Sequence, residues 1–260
     1  MTVTLLTAGL STVSSAGNAA TQLPASVGQP TPAEEEEMST FLTATYDHVD
    51  AYWHEQFKSL QAEGPSAFIA IPVTGEDPYR SKCVEEPIAH DTESIFYCPD
   101  DDWTNNEGVD YTGGIYFPVT MALALQDQHG PLAPAVVLAH EYGHEVQNEL
   151  MEQKGWEDIV QIKDGAPVLE NGQVVPVKEK ELIADCFSGN WTKYASQQDL
   201  IPSVRLPDAI SALESAGDVV IGQAQPHGSK YERTTAFTLG YNSGDPVQCI
   251  HQYWVTEQWE

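Results

Sequence analysis

The stretch VVLAHEYGHEVQ, residues 136–147, places His140 and His144 four apart, with Glu141 beside the first. On a helix, residues at i and i+4 share a face, so both imidazoles project the same way, one turn apart. That separation suits two corners of a tetrahedral zinc site, because neutral imidazole is a good zinc ligand. Glu141 is displaced by about 100° around the helix axis. It can therefore reach a water near the metal without taking a coordination position, and can act as a general base. The pattern is HExxH, two ligands and a base. A core helix with satisfied histidines is the plainer alternative, but the context favours chemistry. Apolar Val136, Val137 and Leu138 lead into the motif. Gly143 costs about 1 kcal/mol relative to alanine in a helix interior and implies a close-packed neighbour.

Zinc needs a third protein ligand, with a fourth position left for water. KEKELIADCFSGNW, residues 178–191, offers it. Glu181 and Asp185 are again four apart on an expected helix. Glu181 completes a His2Glu donor set, and Asp185 accepts from the far nitrogen of His140, fixing its tautomer. A solvated acidic face would explain the same pair in so acidic a chain. However, Leu182, Ile183, Ala184, Cys186 and Phe187 mark this helix as mostly buried, and buried carboxylates need partners.

The elements that position these groups follow from periodicity and turn signals. Residues 1–36 read as a signal-like or disordered tail and 37–260 as one domain. A helix is expected from Glu37, with Phe41, Leu42, Tyr46, Val49, Tyr52, Trp53 and Phe57 at helical spacing, ending before Gly64-Pro65. Strands are expected at 67–73, 94–98 and 109–117, and a helix from Val119 to Gln126. Pro134 fits the first turn of the HExxH helix, which should run to about Met151. Asn171-Gly172, flanked by apolar runs, signals a hairpin. Further helices are expected over 177–197, 207–216 and 229–241, with a short segment after Pro246. Helices in the majority with a few strands make an α+β protein.

The chain has 39 acidic against 11 basic side chains, a formal net charge of −28. Such a surface repels nucleic acid and anionic membranes. No stretch approaches the length of uninterrupted apolar sequence that a transmembrane helix needs. Cys83, Cys98, Cys186 and Cys249 show no CxxC spacing, which argues against zinc ribbons and redox motifs. Four thiols allow three pairings. The simplest joins Cys83 to Cys98 and Cys186 to Cys249, and it requires an oxidising compartment; four reduced, buried thiols are the alternative. The opening residues are mildly apolar and small, with Gly17 and Ala19 placed as before a cleavage point. They resemble a secretory signal lacking a positive n-region. Export, to the medium or the cell surface, is the expectation.

HEYGHEVQ followed by ELIADCFSGNW resembles the bacterial neutral zinc metallopeptidase family and, more broadly, zincins whose third ligand is the glutamate of an ExxxD motif; that likeness implies a zincin-like fold with the two site helices packed on a small sheet. FYCPDD at 96–101 and HGSKYERTTAFTLGYNSGDPVQC at 227–249 extend the likeness. The second matches through His227, Gly228, Ser229, Arg233, Phe237, Gly240, Ser243, Gly244, Asp245 and Cys249. The family often has a second histidine where this chain has Glu145, a residue expected to point away from the histidine pair. It also often has an N-terminal membrane anchor, so soluble secretion is the expectation here. By analogy with such sites, His227 would donate to the oxyanion; the alternative is a residue preceding a Ser229 helix cap. His48 and His54 lie six apart, cannot share a face and are expected at the surface or in packing; His90, His129 and His251 have no partner pattern and are expected at the surface.

The resulting expectation is a zinc metallopeptidase acting on peptide or protein substrates, with Zn2+ on His140, His144 and Glu181 and Glu141 as general base. A zinc hydrolase of a non-peptide bond and a non-catalytic zinc-binding or adhesive protein are the alternatives. Glu141 disfavours the last, since a structural zinc gains more from a fourth protein ligand than from a base.

Overall fold

A computed structural model describes residues 30–59, 62–154, 159–163, 166–169, 177–198, 206–215 and 228–253. Helix α1 (Pro32–Ser59) opens ahead of the expected Glu37. Thr31 and Glu34 make a reciprocal cap there: the Thr31 N–H donates to Glu34 at 2.7 Å and the Glu34 N–H to Thr31 Oγ1 at 3.3 Å. Pro32 occupies the first turn, where its missing N–H costs little. The inner face of α1 buries Met38, Leu42, Val49, Tyr52, Trp53 and Phe57. Glu35, also buried, accepts from the Thr74 N–H and hydroxyl at 3.0 and 2.6 Å, tying the helix to the sheet side.

Strands β1 (Phe68–Ala70), β2 (Phe96–Thr104) and β3 (Asp110–Tyr116) form a mixed sheet in the order β1-β3-β2. The centre strand β3 is parallel to β1 and antiparallel to β2. The β2 register shifts between Cys98 and Asp102. Pro99 lies there, and proline, which has no N–H for a ladder, is confined to such bulges and edges. The Cys83–Cys98 disulfide, with Cα atoms 5.8 Å apart, fastens the loop before β2 onto the outer sheet face. Ile88, Phe96 and Tyr116 pack beneath it.

Helices α2 (Val119–His129) and α3 (Ala133–Lys154) follow, then the antiparallel pair β4 (Ile159–Lys163) and β5 (Ala166–Leu169). That pairing brackets Asp164-Gly165 in sequence, whereas the expected hairpin dipeptide, Asn171-Gly172, lies outside the described residues. The chain continues through α4 (Val177–Gln197), α5 (Leu206–Ser215), α6 (Lys230–Ser243) and α7 (Pro246–Tyr253). The fold is mostly helical with a small sheet, α+β as the sequence implies. No described helix is long and apolar enough to cross a membrane.

The main core lies between α1, α2, α3, α4 and the inner sheet face, with Trp53 edge-on to Phe187 at 4.9 Å between ring centres. Helices α4 and α6 approach unusually closely because glycines face each other's backbones. A Cβ on Gly240 would lie 1.8 Å from the Cys186 carbonyl oxygen, and one on Gly189 2.2 Å from that of Phe237. The Asn190 amide donates to the Gly240 carbonyl at 2.9 Å. The Cys186–Cys249 disulfide, with Cα atoms 5.7 Å apart, holds α7 to the same region. Because backbone rather than a flexible side chain is in the way, Gly240→Ala must push the helices apart. We expect it to cost at least about 1–3 kcal/mol, visible as a lowered thermal midpoint by circular dichroism; an unchanged midpoint would contradict the packing.

Candidate metal centre

The site is built where α3 crosses α4. Gly143 is the contact point: a Cβ there would sit 3.0 Å from Ala184 Cα and 3.1 Å from its carbonyl oxygen. The closely packed neighbour implied by that glycine is therefore α4. The Ser188 hydroxyl donates to the Val136 carbonyl at 2.8 Å, and the Gln147 amide to that of Lys180 at 3.1 Å, fixing the two helices on either side of the crossing. Gln147 Nε2 also lies 3.2 Å from His144 Nδ1.

This crossing brings Glu181 between the histidines. Its Oε2 is 3.3 Å from His140 Nε2 and its Oε1 is 3.7 Å from His144 Nε2. One ligand atom from each of the three residues falls within 4.8 Å of the others. A tetrahedral zinc with bonds of roughly 2.0–2.1 Å needs ligand atoms about 3.3 Å apart. The spacing and the N,N,O donor set both fit zinc, with one coordination position left over.

Behind His140 lies a fully buried ion pair. Asp185 Oδ1 is 2.8 Å from His140 Nδ1. The Arg233 guanidinium, from the first turn of α6, donates to both Asp185 oxygens, through Nε to Oδ2 and Nη2 to Oδ1, each at 2.8 Å. Arg233 Nη2 also lies 3.4 Å from His140 Nδ1. Asp185 is 0% and Arg233 2% exposed, so neither charge is screened by water. With Nδ1–H donating to Asp185, the Nε2 lone pair is directed to the metal position.

The electrostatics follow from burial and these partners. Burial would raise Asp185, but Arg233 outweighs it and holds the carboxyl below its ordinary range. Burial would likewise depress His140, yet Asp185 and Glu181 win and lift the metal-free imidazole to about 10. Metal binding there therefore displaces a proton. Burial lowers His144 to about 4, leaving it neutral. For Glu181 burial opposes ionisation, but His144 and His140 pull it well below the usual carboxylate range. Burial pushes Glu141 up to about 7, against the pull of His140.

The structure thus gathers His140, Glu141, His144, Glu181 and Asp185 as their spacing implies, and it pairs the cysteines as the simplest scheme has them. His227 lies outside the described residues. Ser229 caps α6 in a capping box with Glu232. His129 is not a plain surface residue: it is half-buried, with Nδ1 3.0 Å from the Ser211 hydroxyl. Sequence reasoning gave Arg233 no role, since only the glycine-mediated approach of α6 reveals its reach to Asp185. Glu145 does turn away from the histidine pair, toward Tyr97 and Ser66.

The helix carrying HExxH is thus answered by a glutamate and an aspartate four apart on a second helix. The chain belongs to the family described as "putative neutral zinc metallopeptidase", which it matches over residues 2–251. It is 30% identical over 167 residues to the uncharacterized protein YpfJ of Escherichia coli K12, an alignment covering 59% of this chain and 52% of that protein. It is 30% identical over 231 residues to the uncharacterized proteins Mb2605 of Mycobacterium bovis and Rv2575 of Mycobacterium tuberculosis H37Rv, covering 80% of this chain and 68% of each. The chain therefore spans about half the length of the E. coli relative. No solved structure matches it.

Proposed function

We propose that the protein is a zinc-dependent endopeptidase, with His140, His144 and Glu181 as ligands and Glu141 as general base. The observation that carries the reading is the convergence of those three ligand atoms beside a buried carboxylate that is not one of them. When bound, zinc supplies Lewis acidity, which brings water within reach of deprotonation near neutral pH and polarises a carbonyl. Glu141 takes the proton from the attacking water and returns it to the departing amine. Asp185 and Arg233 hold His140 in the tautomer that leaves Nε2 free.

An extended substrate would pair with the backbone of a sheet edge, as peptides do in strand addition. Of the strands expected at 94–98 and 109–117, the second contains the centre strand β3, flanked by both β1 and β2. Of the two edge strands, β1 and β2, the one that packs on α3, the helix carrying Glu141, is β2, and to its 96–98 stretch we assign the substrate. Two disulfides support an oxidising location outside the cytoplasm.

Peptide-library cleavage read by mass spectrometry, with and without a zinc chelator, tests the reading. Zinc-loaded protein is expected to cleave internal bonds, to stop with chelator, and to recover when zinc is restored. Zinc-loaded protein that cleaves nothing across a broad library would overturn it.

A further inference from the structure

Glu145 is the most deeply buried carboxylate of α3 beyond those already assigned, at 0% exposure. It follows Glu141 by four residues and so shares its helix face, about 6 Å further along the axis. Its two oxygens are held from two different parts of the sheet side. The Tyr97 hydroxyl donates to Oε2 at 2.5 Å, and the Ser66 N–H donates to Oε1 at 2.8 Å. Room for this contact comes from Gly113 on β3, where a Cβ would fall 2.7 Å from the Tyr97 hydroxyl and 2.9 Å from Glu145 Oε2. Its φ of +86° makes glycine the residue of choice on conformational grounds as well. A buried carboxylate is a costly way to fasten a helix to a sheet, where an apolar contact would serve.

Tyr97 joins β2 to that face of α3: its hydroxyl donates to Glu145, and β2 packs against α3, the helix that carries Glu141 one turn earlier. Moving the ring therefore shifts the strand against the helix that carries the base. We propose that Glu145 and Tyr97 are a pair of positioning residues that fix the β2 edge at its working distance from Glu141. The proposal rests on the endopeptidase reading, in which β2 also carries the substrate. Neither residue touches the reacting atoms; they set where the base and the substrate strand stand relative to each other.

The test uses the full zinc-loaded chain as wild type, Tyr97→Phe, Glu145→Ala and the double variant. A library-derived peptide is the substrate, and zinc content, kcat, KM and amide hydrogen exchange are read. Tyr97→Phe keeps the ring and is expected to keep its zinc, while kcat falls about 10- to 100-fold, the scale of a misplacement of about 1 Å. KM should change much less. The double variant should be no worse than the poorer single one, because either change breaks the same contact. Exchange at residues 96–98 should rise about tenfold while that of α4 stays as in wild type. A lowered thermal midpoint with unchanged kcat in zinc-loaded protein would show a merely structural contact and overturn the proposal, as would losses that multiply in the double variant. Unchanged exchange at 96–98 in Tyr97→Phe overturns it whether or not any peptide is cleaved. Absence of chelator-sensitive cleavage by wild type overturns instead the reading beneath it.

Discussion

Glu141→Gln is expected to retain a full complement of zinc and to lose peptide cleavage by about 10²–10⁴-fold, the usual contribution of a positioned general base. Glutamine keeps the size and the hydrogen-bonding reach of the side chain but cannot hold the proton that the attacking water must give up. Zinc should be retained because Glu141 is not among the three residues whose ligand atoms converge. Nor should the fold suffer, since the residue is only 7% exposed and the change removes a carboxylate that burial already pushes up to about 7. Elemental analysis together with turnover of one library-derived peptide decides the matter. A variant that holds zinc and cleaves at the wild-type rate would remove Glu141 from the mechanism.

Arg233→Met should produce the largest loss of stability among substitutions that leave the metal ligands in place. It strips Asp185, 0% exposed, of a bidentate partner whose two bonds are each 2.8 Å. An uncompensated buried charge costs about 3–5 kcal/mol. At roughly 2–4 °C per kcal/mol for a chain of this size, the thermal midpoint should fall by about 10 °C. Asp185 also orients His140, so zinc affinity should drop about 10- to 100-fold, as it does when outer partners of zinc-bound histidines are lost. Arg233→Lys should recover only part of this, because a single ammonium cannot span both oxygens. Adding Asp185→Asn to Arg233→Met should restore part of the stability, with no charge left stranded. Calorimetry and zinc competition against a chelator measure both effects; wild-type values for Arg233→Met would mean that the ion pair supports neither fold nor metal.

What was legible in the sequence was whatever one helix encodes by itself. His140 with His144, and Glu181 with Asp185, share faces by spacing alone, and Gly143 marked the crossing before its partner was known. Arg233 was legible only as a residue of a recurring pattern. Its reach to Asp185 depends on Gly189 and Gly240 letting α4 and α6 almost touch, a tertiary fact with no local signature. The start of α1 was missed although Thr31, Pro32 and Glu34 spell a capping box, because the acidic run that follows looks like solvated tail. The expected strand at 94–98 stopped where β2 continues to Thr104, since Pro99 and three consecutive aspartates read as loop. A bulge accommodates them on an edge. Asp164-Gly165 and Asn171-Gly172 are both good turn dipeptides, and nothing local ranks one over the other.

The joining of His140, Asp185 and Arg233 across 93 positions of sequence also has a temporal side. During synthesis the histidine pair and the acidic helix emerge first, while the counter-charge that steadies them is still unmade. Contacts so distant along the chain form late. The candidate metal site is therefore complete only once α6 has docked, and until then Asp185 stands beside His140 without its counter-charge.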